Sequence, residues 1–361
     1  MEPEKAKKIL QEQGYAITEI VSIPAGISHY IFEISLENGS EAIARFERAD
    51  IMGLQNQRRD FHYNGLLSLE RERNILTLVR EEAKLPAPKV YGLHRTDSNT
   101  VLVVEKLPGM LWNDFMQKED YCLESYLTSL KFLGRDIARA ERVHFQQYGD
   151  ILSKEKIEPG GITSIVPRLR EMNQLKFQRA EAKKALSEKE LKEVEHYLEN
   201  ILQDLTAQST SHLSPVLILT DLHATNFLVD TQGKPSGYFD LEFSQAGVLP
   251  QELNTLRMNL FNYFNAQTFP LAEDAFFKGF HANGGKYSRE NPINQKLECL
   301  LALNHLLASV TAYVGVKDGL RDSWSGQFKE ILFTGIVEEK VDYIAIADIL
   351  RPKTKQPKEP K

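Results

Sequence analysis

Residues 216–242 read VLILTDLHATNFLVDTQGKPSGYFDLE, and three short apolar runs in this stretch meet polar side chains at their ends. The first run stops at Thr220 and Asp221, the second begins just after Asn226, and the third stops just before Asp240. A turn rich in Gly and Pro separates the second run from the third. Short apolar runs bounded by turn residues predict strands. We therefore expect one hairpin that carries two aspartates and one asparagine at its strand ends.

This set of side chains suits the transfer of a phosphoryl group. The reaction needs one carboxylate to orient the attacking hydroxyl, and an asparagine with a second aspartate to hold Mg²⁺ on the phosphates. The pattern therefore predicts Asp221 as the catalytic residue, and Asn226 and Asp240 as ligands of Mg²⁺. The alternative interpretation is that these residues only shape turns, as Asp and Asn often do.

Two motifs carry a resemblance to a known family. Residues 221–226 (DLHATN) resemble the D-L-H-x-x-N loop of the aminoglycoside phosphotransferase and choline kinase family, and residues 239–242 (FDLE) resemble its metal-binding I-D-x-E element. Leu219 is a departure, because many relatives have His at that position. Leu241-Glu242 stands where protein kinases have Phe-Gly, which favours the small-molecule branch of the fold.

The resemblance implies an α+β architecture, the two-lobed protein-kinase-like fold. Residues 1–105 are expected to form a small N-terminal lobe that has an antiparallel sheet and binds the nucleotide. Residues 106–350 are expected to form a mostly helical C-terminal lobe with the catalytic loop and the acceptor site. The implied cofactor is Mg²⁺, and the implied co-substrate is ATP, with GTP as the alternative nucleotide.

The beginning of the chain has the pattern of a kinase small lobe. The predicted strands are residues 17–23, 30–36 and 42–46. Asn38-Gly39 accepts the positive φ of a tight turn between the second and third strands. In such a lobe the turn between the first two strands lies over the phosphates, so Gly26 and Ser28 are predicted to contact the nucleotide.

Two charged residues are candidates for holding the phosphates in place. Arg45, in the third predicted strand, occupies the place of the family's phosphate-binding Lys, and an Arg can pair with phosphate through two hydrogen bonds. The alternative interpretation is an exposed arginine on a strand. Residues 65–81 have the apolar spacing of a helix. Glu72 on this helix resembles the glutamate that pairs with the strand cation in the family, and Glu70 is the second choice.

The segment after the apolar run Val101 to Val104 resembles the hinge between the two lobes. The continuous run Val101 to Val104 predicts a buried strand. Residues 105–109 resemble the family's E-x-x-x-G hinge, which implies that backbone groups near Glu105 and Leu107 bind the adenine. Beyond Gly109 the apolar spacing becomes helical.

Composition excludes several other classes of protein. The chain has 361 residues, of which 42% are apolar and 26% are charged, as in ordinary globular proteins. Its net charge of −6 gives no indication of a nucleic-acid partner. We find neither the apolar core of a signal peptide nor a run of about 18 apolar residues. With only two cysteines, we expect a cytoplasmic protein without a membrane partner. The Lys- and Pro-rich tail, residues 351–361, is expected to be disordered.

We therefore predict a phosphotransferase that moves the γ-phosphoryl group of ATP to a hydroxyl of a small molecule. An aminoglycoside-like antibiotic, a sugar and an amino alcohol all remain open as acceptors. One alternative is a nucleotide-binding pseudokinase or interaction module, because Arg45 and Leu219 replace the usual Lys and His. A protein kinase is a further alternative, although its D-F-G glycine and A-P-E segment are missing. The sequence does not determine the oligomeric state.

Overall fold

The structure is a computed structural model, and it describes residues 1–24, 29–48, 68–96, 99–118, 122–208 and 213–350. The predicted phosphate contacts Gly26 and Ser28 lie outside the described residues, as does the predicted disordered tail, 351–361. The described residues form an α+β fold with an antiparallel sheet near the N-terminus and mainly helices beyond it.

The N-terminal part is a five-stranded antiparallel sheet in the order β1-β2-β3-β5-β4. Its strands are β1 (Ile17–Ile23), β2 (His29–Leu36), β3 (Glu41–Glu47), β4 (Val90–Arg95) and β5 (Thr100–Glu105). One face of the sheet buries Phe32 and Phe46 together with apolar residues of helix α1 (Pro3–Glu12). The three predicted strands are confirmed, because alternating side chains enter this core as a period of two requires.

Helix α2 (Leu69–Glu81) packs against the opposite face of the sheet, on the side of Leu102 and Val104. It begins at Leu69 because the hydroxyl of Ser68 accepts a hydrogen bond from the Arg71 amide at 3.2 Å, which satisfies a free N–H of the first turn. The predicted helix over 65–81 is confirmed from Leu69 onward, and residues 65–67 lie outside the described residues.

The C-terminal part consists mainly of helices. They are α3 (Trp112–Phe115), α4 (Leu123–Ala140), α5 (Ile165–Ala182), α6 (Glu188–Ala207), α7 (Leu249–Asn259), α8 (Phe269–Ala282), α9 (Pro292–Tyr313), α10 (Trp324–Glu338) and α11 (Tyr343–Leu350). Helices α4 and α8 approach closely at two glycines. A β-carbon on Gly134 would lie 2.0 Å from the Phe276 carbonyl oxygen, and one on Gly279 would lie 1.8 Å from that of Lys131. This contact therefore requires glycine on both helices.

Two small antiparallel sheets carry the motifs of the sequence 216–242. Their strands are β6 (Met110–Leu111), β7 (Gly149–Ile151), β8 (Ile157–Glu158), β9 (Val216–Ile218), β10 (Phe227–Val229), β11 (Pro235–Tyr238) and β12 (Gln245–Gly247). The sheet orders are β11-β10-β6 and β8-β7-β12-β9. The prediction of one hairpin is wrong for the first apolar run, since β9 pairs with β12 while β10 pairs with β11. The loop after β9 is long enough to carry the chain from one sheet to the other.

The connection between the two parts lies against the β10–β11 hairpin. The hydroxyl of Ser236 donates to the Pro108 carbonyl at 2.7 Å, and Leu107 packs so closely on Gly237 that a β-carbon there would lie 2.4 Å from its Cδ1. The Tyr238 amide donates to the Pro86 carbonyl at 2.7 Å. These contacts tie the N-terminal part to the hairpin.

None of the helices in the described ranges combines the length and the apolarity needed to cross a bilayer.

Lys176 is a buried cation in the helical part. Its Nζ donates to the Asn304 side chain, so that α5 and α9 are joined at this point. Burial lowers the pKa of Lys176 from 10.5 to about 8. Because the unfolded chain keeps the ordinary pKa, it binds more protons than the folded chain between these two values, and stability rises with pH across that interval.

We expect Lys176→Met to remove this part of the pH dependence. The free energy of unfolding in urea, measured for wild type and variant at pH 7 and at pH 10, should rise with pH more in the wild type than in Lys176→Met. Lys192→Met is the control, because Lys192 lies at the surface, with 71% of its side chain exposed. Parallel pH profiles for wild type and Lys176→Met would contradict the prediction.

Candidate active site

The loop between β9 and β10 holds the first two predicted site residues. Thr220, the residue before Asp221, has a φ of 57°, which is unusual for a residue with a branched β-carbon. Its hydroxyl donates to the Phe243 carbonyl at 2.8 Å, and its amide donates to the buried carboxylate of Glu252 at 3.2 Å. The strained turn is therefore held by two contacts with residues after β11.

Asn226 lies next to Asp221 across this loop. Its amide nitrogen donates to the Asp221 carbonyl at 2.9 Å and contacts the Asp221 carboxylate at 3.3 Å. Both contacts use the nitrogen, so the oxygen of the buried amide can serve as a ligand. His223 accepts or donates a bond with Thr225 at 2.9 Å, and its other ring nitrogen lies 3.8 Å from the Asp221 carboxylate.

Asp240 follows β11 and is linked to the N-terminal sheet by an arginine. The Asp240 backbone has a φ of 57°, and its carboxylate accepts a hydrogen bond from Arg45 Nη2 at 2.7 Å. Arg45 Nη1 donates to the carboxylate of Glu72 on α2. Glu70, the second choice for this pairing, lies at the surface and pairs with Arg95. The structure thus brings Arg45, Glu72 and Asp240 into one cluster, in which Arg45 and Glu72 are buried and the Asp240 side chain is 37% exposed.

The charges in this cluster shift one another's protonation. Burial opposes the charge of Arg45, but Glu72 and Asp240 outweigh burial, so the pKa of Arg45 lies above its ordinary value. Burial raises the pKa of Glu72 to about 7, against the opposing charge of Arg45. For Asp240, Arg45 outweighs the effect of burial and holds the pKa below its ordinary value of 3.8. Asp240 is therefore ionised at neutral pH.

His29 belongs to this cluster and is not predicted by the sequence reasoning. It is buried at the start of β2, and its Nδ1 lies 3.2 Å from Arg45 Nη2. An arginine has no acceptor atoms, so His29 Nδ1 accepts this bond. Burial and the nearby Arg45 charge lower the pKa of His29 to about 3, which keeps the ring neutral. The only signal in the sequence is that His29 directly follows the predicted phosphate turn.

The predicted hinge residues lie where the chain leaves the N-terminal sheet. Glu105 ends β5, and its carboxylate accepts hydrogen bonds from the Lys89 amide at 3.0 Å and from Arg80 at 3.1 Å. Its side chain thus stiffens the edge of the hinge. Leu107 is half-buried against the β10–β11 hairpin.

Comparison with known proteins shows the family of this chain. The sequence profile of the phosphotransferase enzyme family matches residues 19–289, which is well over half of the chain. The chain belongs to this phosphotransferase family. The matched range includes most of β1, all of β2 to β12 and every predicted site residue. No characterised protein gave a significant sequence match.

Several solved structures have a similar fold and a distant sequence. A protein from Thermobifida fusca assigned as a fructosamine-3-kinase has 14% identity and a TM-score of 0.59, with 91% of this chain and 98% of that chain covered. An amicoumacin kinase in complex with AMP-PNP and Ca²⁺ has 12% identity and a TM-score of 0.58, with 94% and 98% covered.

An aminoglycoside phosphotransferase with bound ADP has 12% identity and a TM-score of 0.51, with 96% and 99% covered. At these identities the likeness shows the fold alone. The phosphotransferase therefore has the two-lobed protein-kinase-like fold of small-molecule kinases.

The side chains around Asp240 have the chemistry that a hard divalent cation requires. Mg²⁺ takes oxygen ligands and uses one or two carboxylates together with substrate phosphates and water. Asn226 and Asp240 supply such oxygens. Glu242 adds another, since its Oε2 is buried and has no hydrogen-bond partner among the described residues. Within the same residues, no cluster of three or more His, Cys, Asp or Glu could hold a metal alone. These oxygen atoms are of the kind that a hard divalent cation prefers.

The sequence reasoning assigned Glu242 no role at the metal. Burial, followed by repulsion from Asp240, raises the pKa of Glu242 to about 8. The position is part of the I-D-x-E element, so the motif itself is the signal that could have identified it.

Glu252 on α7 supports the loop that carries Asp221. It is buried, and its Oε2 accepts the amides of Leu219 at 2.5 Å and of Thr220 at 3.2 Å. Burial raises the pKa of Glu252 to about 7, against the two amide donors. The sequence offers a signal here, because residues 250–253 (PQEL) resemble a P-x-E-L segment of the family.

We expect Glu252→Ala to destabilise the phosphotransferase by about 2 kcal/mol or more, because two buried amides lose their acceptor. Turnover should fall with it, since the loop before Asp221 is no longer held. Glu252→Gln keeps an acceptor oxygen of the same reach and should retain most of the stability. Urea unfolding of the three proteins measures the effect, and equal midpoints for wild type and Glu252→Ala would refute it.

Proposed function

We propose that this protein transfers the γ-phosphoryl group of ATP to a hydroxyl of a small molecule. The observation that carries the proposal is the Arg45 guanidinium, which joins Glu72 on α2 to Asp240 after β11. Phosphoryl transfer depends on positioning and on charge neutralisation around the phosphates. A cation held between a helix and the proposed metal ligand is the arrangement that such catalysis uses.

In the proposed reaction the acceptor oxygen attacks the γ-phosphorus. The bond from that phosphorus to the β–γ bridging oxygen breaks, and ADP leaves with the electron pair. Asp221 accepts the proton of the hydroxyl as the new bond forms. The Asn226 side chain holds Asp221 by its contacts with the Asp221 carbonyl and carboxylate. The base is therefore oriented before the acceptor binds.

Arg45 is proposed to bind the phosphates. Glu72 accepts a hydrogen bond from Arg45 Nη1, and Asp240 accepts one from Arg45 Nη2. Nη2 is proposed to turn from Asp240 toward phosphate oxygens. Neutral His29 accepts a bond from the same Nη2 without adding charge. Asn226 and Asp240 would hold Mg²⁺, which would supply neutralisation of charge on the phosphate oxygens.

We propose that the nucleotide lies between the two parts of the chain, with adenine against the backbone near Glu105 and Leu107. Gly26 and Ser28 are proposed as phosphate contacts on the grounds of the sequence. The reaction is placed in the cytoplasm, where ATP is available and where the free cysteines Cys122 and Cys299 stay reduced.

The acceptor class is proposed as a polar, hydroxyl-bearing small molecule. The proteins of similar fold are named for fructosamine, amicoumacin and aminoglycosides, which supports an aminoglycoside-like antibiotic or a sugar. An amino alcohol is proposed as an acceptor on the grounds of the sequence.

The proposed function is tested by Mg²⁺-dependent release of ADP from ATP, and of GDP from GTP, with a panel of these acceptors. We expect release with one acceptor class, a product heavier by one phosphoryl group in mass spectrometry, and loss of both in Asp221→Ala. An absence of Mg·ATP binding in calorimetry, together with no release, would refute the proposal. Binding without release by any acceptor would favour the pseudokinase.

A further inference from the structure

Arg71, the residue before Glu72 on α2, is buried between the two parts of the chain. Only 1% of the residue is exposed. Its Nε donates to the Ile151 carbonyl at 2.9 Å, and its Nη2 donates to the Ser244 carbonyl at 3.0 Å. Both acceptors are main-chain oxygens of the C-terminal part, so a helix of the N-terminal part is bonded directly to the other part.

The two carbonyls lie at the end of one β-ladder. Strands β7 and β12 pair with Gln245 opposite Asp150 and Ala246 opposite Gly149. In this register the next pair is Ser244 and Ile151, the two residues whose carbonyls accept from Arg71. The planar guanidinium presents its donors as a rigid fork. Arg71 therefore caps the ladder and docks α2 on its end.

A second contact on the same face of α2 supports this docking. Asn74 lies one helical turn beyond Arg71, and its amide nitrogen donates to the Leu152 carbonyl at 2.7 Å. The helix thus contacts two successive residues, Ile151 at the end of β7 and Leu152 directly after it.

Arg71 and Arg45 connect the same two segments of the protein. Arg45 joins Glu72 to Asp240 through carboxylates, whereas Arg71 joins α2 to Ser244 through main-chain carbonyls. Only the first connection uses groups that the proposed reaction needs. When Mg·ATP engages Asp240 and Arg45, the contact between these two residues must be shared or broken. The hydrogen bonds of Arg71 to the Ile151 and Ser244 carbonyls use neither of these two residues.

We propose that Arg71 is a positioning residue that sets the separation of Glu72 and Asp240 and so presents Arg45 to the phosphates. This inference rests on the proposed function. The acceptors in these two hydrogen bonds are main-chain atoms, so contacts within the chain itself dock α2 in this position. Arg71 touches neither the nucleotide nor the acceptor, and it acts through Glu72 and Arg45.

The test compares wild type with Arg71→Met, Arg71→Lys and the control Arg95→Met. Arg95 also contacts α2, through Glu70, but its side chain is 67% exposed. The readouts are the Kd of Mg·ATP by calorimetry and amide hydrogen exchange across residues 69–81 and 240–247. We expect Arg71→Met to raise the Kd about tenfold, since a misplaced binding group is costly, and to speed exchange in both segments. Arg71→Lys should give a Kd and exchange rates between those of wild type and Arg71→Met. Arg95→Met should match wild type in both.

A merely structural role gives a different result. Lower thermal stability with faster exchange over the whole chain, but with the wild-type Kd, would overturn the proposal. If Arg71→Met does not fold, Arg71→Lys decides, with a Kd about threefold above wild type expected and an unchanged Kd overturning the inference. Failure of the proposed function is separate, because it appears as wild-type protein that binds no Mg·ATP.

Discussion

Replacement of Asp221 by alanine is expected to lower kcat by about a thousandfold, the usual scale for loss of a general base. The affinity for Mg·ATP should stay within a few-fold of wild type, because in the proposed reaction Asp221 acts on the hydroxyl of the acceptor and not on the nucleotide. Asn226 holds the Asp221 carboxylate and carbonyl, and the carbonyl contact remains in the variant. The loop should therefore keep its shape while it loses the base.

The measurement is kcat with the acceptor found in the panel, alongside the Kd of Mg·ATP by calorimetry. Asp204→Ala is the control, because Asp204 is an exposed aspartate on α6 that pairs with Lys296, and it should leave both values unchanged. Turnover by Asp221→Ala within tenfold of wild type would show that another group takes the proton.

Replacement of Asp240 by asparagine is expected to raise the Kd of Mg·ATP by roughly a hundredfold, the scale on which metal sites respond to lost partners. Asp240 is ionised because Arg45 holds its pKa below the ordinary value, so the variant removes a full negative charge from the proposed metal site. The same charge repels ATP when no metal is present. We therefore expect ATP in EDTA to bind Asp240→Asn as well as wild type, or better.

Calorimetry with Mg²⁺ and with EDTA separates these two effects. Asp230→Asn is the matched control, because Asp230 lies in the turn of the same hairpin and its carboxylate accepts the amides of Gln232 and Lys234. It should bind Mg·ATP like wild type. An equal loss of affinity for ATP with and without Mg²⁺ in Asp240→Asn would show that Asp240 is not a metal ligand.

Much of the fold follows from local patterns in the sequence. Alternation predicts β1 to β3, and the Ser187–Glu190 pair predicts the start of α6, where both halves of a capping box are present. The start of α2 is equally local, because the hydroxyl of Ser68 caps it. The pairing of β9 with β12 is different. Nothing in a short apolar run specifies its partner strand, so the prediction of a single hairpin failed.

The site divides in the same way. The positions of Asp221, Asn226 and Asp240 at loop ends are readable from the apolar runs that precede or follow them. The choice between Glu72 and Glu70 cannot be made from the sequence in this way, since both lie in the first turn of α2. Packing decides it, because Glu72 faces the interior and Glu70 faces solvent.

By itself the sequence determined the strands, the helix starts and the residue types offered for phosphoryl transfer. These depend on side-chain alternation, caps and turns, which act over a few residues. Only the tertiary structure decided which charges meet. Arg45 reaches Asp240 across 195 residues and Arg71 reaches Ser244 across 173. Such contacts, and the protonation of His29, Glu72 and Glu252, depend on burial and on neighbouring charges that exist only once the two parts of the chain have packed together.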